Sequence, residues 1–128
     1  MKEFTQALSA KAMTKVNNTN SAAAVKSGSL PVFATPMMLA LMEEATCRAV
    51  QPLLDDDEST VGTSVSITHD KASGMGTVVT AYATLVEVDG RKLYFDVLAK
   101  DNSGDIIGKG SIERFVIIKD KFMKRVNK

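Results

Sequence analysis

Residues 34–54, ATPMMLALMEEATCRAVQPLL, constrain this chain more than any other segment. Thr35 followed by Pro36 predicts a helix start. Threonine can accept from the free N–H groups of a first turn, and proline is tolerated where its missing N–H has no partner anyway. Met37 through Met42 are all good helix formers. Pro52 predicts the stop, because the residue before a proline avoids helical backbone angles. The helix is expected over residues 36–50, roughly 22 Å at 1.5 Å per residue. It is apolar nearly all round, which predicts burial.

Strand-like stretches surround it. Residues 8–16 alternate small apolar with polar side chains and predict a first strand. Residues 17–31, rich in Asn, Ser, Gly and Ala, read as a loop or irregular edge. Residues 54–60 form an acidic loop. Residues 61–69 predict a strand with Val61, Thr63, Val65, Ile67 and His69 on one face. A turn leads into a long β-branched strand over 76–88. Asp89-Gly90 signals a two-residue hairpin. Residues 91–101 alternate, with Leu93, Phe95, Val97 and Ala99 on one side, and 105–118 form the last strand. Residues 119–128 are basic and expected to be a mobile tail. The whole predicts one domain over 1–128, an antiparallel meander with a single helix on one face, hence an α+β fold.

Composition narrows the function classes. Hydrophobic residues make up 45% and charged residues 24%, an ordinary globular balance. Sixteen basic and fifteen acidic residues leave a formal charge of +1, which argues against a nucleic-acid partner. Trp is absent and aromatics reach only 5%, so stacking platforms for single strands are poorly supplied. No apolar run approaches the roughly 18 residues of a membrane span. Lys2, Glu3, Gln6, Lys11 and Lys15 interrupt the N-terminal stretch, so no signal peptide is expected. Cys47 is the only cysteine, which points to a reducing, cytoplasmic setting. One cysteine and one histidine give no basis for a metal site.

Three polar residues stand out. Thr35 alone reads as a helix cap. Glu43 lies two turns into an apolar helix, where a carboxylate is costly unless it is paired or faces a cavity; its neighbour Glu44 allows one of the two to face solvent. His69 is the only histidine and ends a strand. Cys47 reads as a small buried apolar residue. Gly74-Met75-Gly76 and Gly108-Lys109-Gly110 read as turn and bulge positions, since neither precedes a helix as phosphate loops do.

Ala34-Thr35-Pro36, Met42-Glu43-Glu44-Ala45 and Gly62-Thr63-Ser64-Val65 leading to His69 resemble the fluoroacetyl-CoA thioesterase-like family of hotdog-fold thioesterases. Gly90-Arg91 and Glu113-Arg114-Phe115-Val116 add weaker agreement. The likeness spans residues 8–118. It implies a hotdog fold, an antiparallel sheet wrapped around one long buried central helix. It implies a homodimer, with a dimer of dimers as a further option. It implies Thr35, Glu43 and His69 as the catalytic group and Gly62, Pro36 and Arg114 around the substrate. No cofactor is implied, coenzyme A being part of the substrate. Two departures show. Many relatives carry a His where this chain has Ile112, taken as a structural or peripheral position. The loop of residues 17–32 has no aromatic residue, whereas members that select fluorinated acetate use aromatic lid residues there; the expected substrate is a small acyl-CoA other than fluoroacetyl-CoA.

Thioester hydrolysis needs an attacking group and stabilisation of the oxyanion. Free N–H groups at a helix N-terminus suit the second task. Thr35 can cap, bind Glu43 or orient the thioester. Glu43 can attack directly, giving a mixed anhydride, or act as general base on water; His69 can shuttle a proton or protonate the leaving thiolate. A non-catalytic acyl-CoA or small-ligand binding protein on the same fold is the alternative. A dehydratase needs a different Asp/His arrangement, which is not seen.

Overall fold

The computed structural model describes residues 1–128. In chain order it has β1 (Leu8–Lys15), α1 (Ala22–Val25), α2 (Thr35–Val50), a 3-10 turn (Gln51–Leu53), β2 (Glu58–His69), β3 (Val78–Asp89), β4 (Lys92–Asp101), β5 (Ile106–Ile118) and α3 (Lys119–Val126). The strands form one antiparallel sheet in the order β1-β3-β4-β5-β2. Only β3, β4 and β5 make a meander. β2 does not pair with the strand that follows it but crosses to the far edge beside β5, and β1 takes the other edge beside β3. Chain order alone carries no signal for that crossing.

Helix α2 lies on one face of the sheet, chiefly over β1 and β3. Ala12, Ala81, Ala83 and Ala99 line that face, and their small side chains let the helix approach closely. Met38, Leu41, Met42, Ala45, Ala49 and Val50 of the helix pack against Leu85, Leu93, Phe95, Ile107, Ile112 and Val116. Inward residues of β4 are Leu93, Phe95, Val97 and Ala99, the alternation its sequence predicts. The helix is not buried all round: Pro36, Ala40, Glu44 and Arg48 form an exposed stripe, because one five-stranded sheet covers only one side. Cys47 is half-buried instead of buried.

The β3–β4 loop is Gly90-Arg91, one residue later than the Asp89-Gly90 signal suggests. Asp89 pairs with Lys92, and Gly90 takes the left-handed turn position at φ 62°. Residues 17–31 include the short α1, capped by Ser21, whose Oγ accepts from the Ala24 N–H. The expected tail at 119–128 contains helix α3, with Asp120 in its first turn and Lys124 and Arg125 in its last, charges that suit the helix dipole. No helix is long and apolar enough to cross a membrane.

Strand β2 departs from its expected face pattern. Its register slips between Gly62 and Ser64. Before the slip Glu58 and Thr60 are buried and Gly62 approaches Glu43; after it Ile67 packs on the core and His69 meets Thr35. A bulge inserts one residue, so the inward positions change from even to odd numbers. Val61 therefore does not share a face with Ile67 and His69.

Candidate active site

The mouth of α2 carries the first part of the site. Ala34, not Thr35, is the cap residue: the N–H groups of Met37 and Met38 both donate to the Ala34 carbonyl, so the helix is already under way at Thr35. No side chain caps this end. The threonine hydroxyl is thereby free, and Thr35 Oγ1 lies 2.7 Å from His69 Nδ1 in a hydrogen bond that joins residues 34 apart in sequence. Segment 70–71 is held in place beyond His69, the Asp70 and Lys71 N–H groups both donating to the Ile107 carbonyl. Lys71 Nζ adds bonds of 2.7 Å to Asp101 Oδ2 and Asp105 Oδ2.

Burial holds the His69 imidazole below its usual pKa, with the nearby Asp70 charge opposing the shift. The ring is therefore neutral at pH 7 and able to accept a proton. Its Nε2 is buried without a hydrogen-bond partner. Thr35 and His69 line a pocket of about 260 Å³ with Ala22, Ser27, Val32 and Phe33. Pro36 is exposed at the same helix mouth.

The second part lies two turns along the helix. Glu43 Oε2 accepts from Arg114 Nη1 at 2.9 Å. The Glu43 side chain is 35% exposed, whereas Arg114 is 7% exposed. Arg114 lies on β5 opposite Gly62 of β2, and Gly62 borders the same carboxylate. Glu43, Gly62 and Arg114 thus come together, as do Thr35 and His69. A single chain does not join the two groups: Thr35 and Glu43 are eight residues apart on one helix, about 12 Å of rise. Ile112 is fully buried in the core, a packing position and not part of either group.

Sequence reasoning did not single out Thr60, whose hydroxyl and carbonyl both bind Arg114. The signal was weak, a threonine inside an apparently solvated acidic loop. Nor did it single out Lys71 and its two aspartates, which only the β4–β5 hairpin brings together.

A five-stranded antiparallel sheet packed over one long helix is the hotdog arrangement. A thioesterase superfamily member from Thermus thermophilus superposes with a TM-score of 0.91 at 26% identity, over 99% of this chain and 93% of that one. The family model described as fluoroacetyl-CoA-specific thioesterase matches residues 16–120, and the chain belongs to that family. It is 44% identical over 95 residues to the fluoroacetyl-CoA thioesterase of Streptantibioticus cattleyicolor, covering 74% of this chain and 68% of that protein. The solved structure of the fluoroacetyl-CoA thioesterase FlK is similar, with a TM-score of 0.90 at 32% identity over 98% and 97% of the two chains.

Proposed function

We propose that this chain hydrolyses the thioester of a small acyl-CoA to the free acid and coenzyme A. The observation that carries the reading is the 2.7 Å bond between Thr35 and a neutral His69 at an uncapped helix mouth, in a member of a thioesterase family. The thioester carbonyl sits at that mouth, where the helix dipole favours the developing oxyanion. Glu43, with Oε2 held by Arg114, is the carboxylate that drives attack on the carbonyl. As general base, Glu43 takes a proton from the attacking water, the C–S bond breaks as the adduct collapses, and that proton reaches the leaving thiolate by way of His69. As nucleophile, Glu43 displaces the thiolate to give a mixed anhydride, and His69 takes the proton of the water that then hydrolyses it. Pro36, Gly62 and Arg114 border the acyl group. Segment 17–32 lines the pocket with Ala22, Ser27 and Val32 and carries no aromatic side chain, Phe33 just beyond it being the pocket's one aromatic; this supports a small acyl group other than fluoroacetyl.

The working form is a homodimer. Strand β2 is an unpaired edge with Val65 exposed on it, and such edges favour pairing. An antiparallel pairing of two β2 strands centred on Ser66, with Thr63 bulged out of the ladder, sets Gly62 of one copy opposite His69 of the other, on the same face. Glu43 borders Gly62, so this pairing brings the carboxylate of one copy to the Thr35–His69 pair of its mate. The lone Cys47 supports a cytoplasmic setting.

Thiol release from a panel of short, branched and aromatic acyl-CoAs tests the reading, with binding measured alongside. Turnover of at least one small acyl-CoA is expected; tight binding with no turnover of any would instead make the chain a binding protein. Mixing Glu43→Gln protein with His69→Ala protein tests the shared site. Hybrid dimers hold one intact site and regain activity; sites confined to single chains regain none.

A further inference from the structure

Arg114 is held by three hydrogen bonds. Nε donates to Thr60 Oγ1 at 2.9 Å, Nη2 to the Thr60 carbonyl at 3.0 Å, and Nη1 to Glu43 Oε2 at 2.9 Å. Thr60 therefore supplies two of the three acceptors. Both lie along the Nε–Nη2 edge of the guanidinium, and two parallel bonds to one edge fix the plane of a rigid fork. Nη1 is left at the free end, against the carboxylate.

Glu43 has no comparable restraint. Its side chain is one-third exposed, and Arg114 provides its only side-chain hydrogen bond within the chain. The place of this carboxylate is thus set by Arg114, and the place of Arg114 by Thr60. Strand propensity alone would be served equally by valine at position 60. A hydroxyl in a residue this buried needs a partner, and here the partner is the guanidinium. The bulge between Gly62 and Ser64 begins two residues on, so Thr60 and Gly62 both face α2 before the inward face changes.

We propose that Thr60 is a positioning residue for thioester hydrolysis: its hydroxyl fixes the Arg114 guanidinium and, through it, aims the Glu43 carboxylate. This rests on Glu43 being the working carboxylate.

The test compares Thr60→Val, which keeps the shape and loses the acceptor, with Thr60→Ser, which keeps the acceptor. In Thr60→Val kcat is expected to fall about tenfold or more while KM stays within about threefold, since aim is lost and acyl-CoA contacts are not. Thr60→Ser should stay within about twofold of the parent in both. In an Arg114→Met background Thr60→Val should cause no further fall in kcat, because the route of its effect is gone. If Thr60→Val does not fold, Thr60→Ala against Thr60→Ser makes the same comparison. Equal losses in the serine and valine variants, an unchanged kcat in the valine variant, or the same fall with and without Arg114 overturn the proposal. Exchange of the Arg114 Nε–H, followed by NMR, separates this idea from the thioesterase reading. Protection present in the parent and the serine variant but lost in the valine variant supports the anchoring, even in a protein with no turnover. Unchanged protection in the valine variant overturns it whatever the activity.

Discussion

Gly62 and Glu43 stand so close that a methyl group added to the glycine would lie 2.7 Å from Glu43 Oε2 and 3.5 Å from Arg114 Nη1. The obstructing atom is the end of a flexible, partly exposed side chain, so the methyl displaces the carboxylate and not the backbone. Gly62→Ala is therefore expected to move the carboxylate off Arg114 and to lower the thermal midpoint by less than Glu43→Met does, since a displaced carboxylate still opposes the guanidinium charge at longer range. Turnover should fall by about tenfold to a hundredfold, the scale of a displacement near 1 Å in a catalytic group. Calorimetry beside a thiol-release assay checks both halves; unaltered turnover would remove Gly62 and Glu43 from the working site together.

The two ends of the Glu43–Arg114 pair differ in burial, so their loss should differ in cost. Glu43→Met leaves a buried guanidinium without its counter-charge. The expected destabilisation lies toward the low end of the roughly 3–5 kcal/mol seen when a buried pair loses one partner, because Thr60 still binds Arg114. Arg114→Met leaves Glu43 able to reach water and should cost less. Denaturant unfolding of the two variants ranks them, and the reverse order would contradict the geometry.

Thr35→Val removes the hydroxyl bonded to His69 without removing the shape, and Thr35→Ser retains it. The valine variant and His69→Ala are each expected to lose about 10²-fold or more in turnover, a usual acid–base contribution. The serine variant should keep most of the activity. Because Thr35 is not a capping residue, Thr35→Val should cost far less stability than the roughly 1 kcal/mol of a lost cap.

Stability should fall in two stages as the solution is acidified. Burial depresses the His69 pKa, so the unfolded chain takes up this proton first. The contribution of neutral His69 is complete above the ordinary value of 6.5 and is lost as pH falls below it. A hydrogen bond from Lys71 holds Asp101 below its usual range, and one from Lys92 does the same for Glu113. The stability from these carboxylates is complete above their ordinary values of 3.8 and 4.5 and is lost below them. Thermal midpoints measured from pH 8 to pH 3 should show both windows, and His69→Asn should lack the upper one.

Several features were legible because their causes are local. Thr35-Pro36 and Pro52 bracket α2 within a residue of its observed bounds, since backbone angles and missing donors act on the nearest neighbours. The alternation of β4 marked its buried face for the same reason. Resemblance to a known family named Thr35, Glu43, His69, Gly62, Pro36 and Arg114 without saying which of them touch.

By itself the sequence determined α2, the middle of each strand and the residues able to do acid–base chemistry, while α1, α3 and the start of β2 at Glu58 lay in stretches that read as loop or tail. Tertiary structure alone decided that β2 crosses to the sheet edge, that a bulge at Gly62 exchanges its faces, and that Thr35 bonds His69 instead of capping its helix. It also decided that Arg114 reaches Glu43 across 71 residues of chain with Thr60 behind it. The reason is physical: helix ends and strand periods follow from interactions a few residues long, whereas these pairings form only after the core has closed and brought distant strands into register.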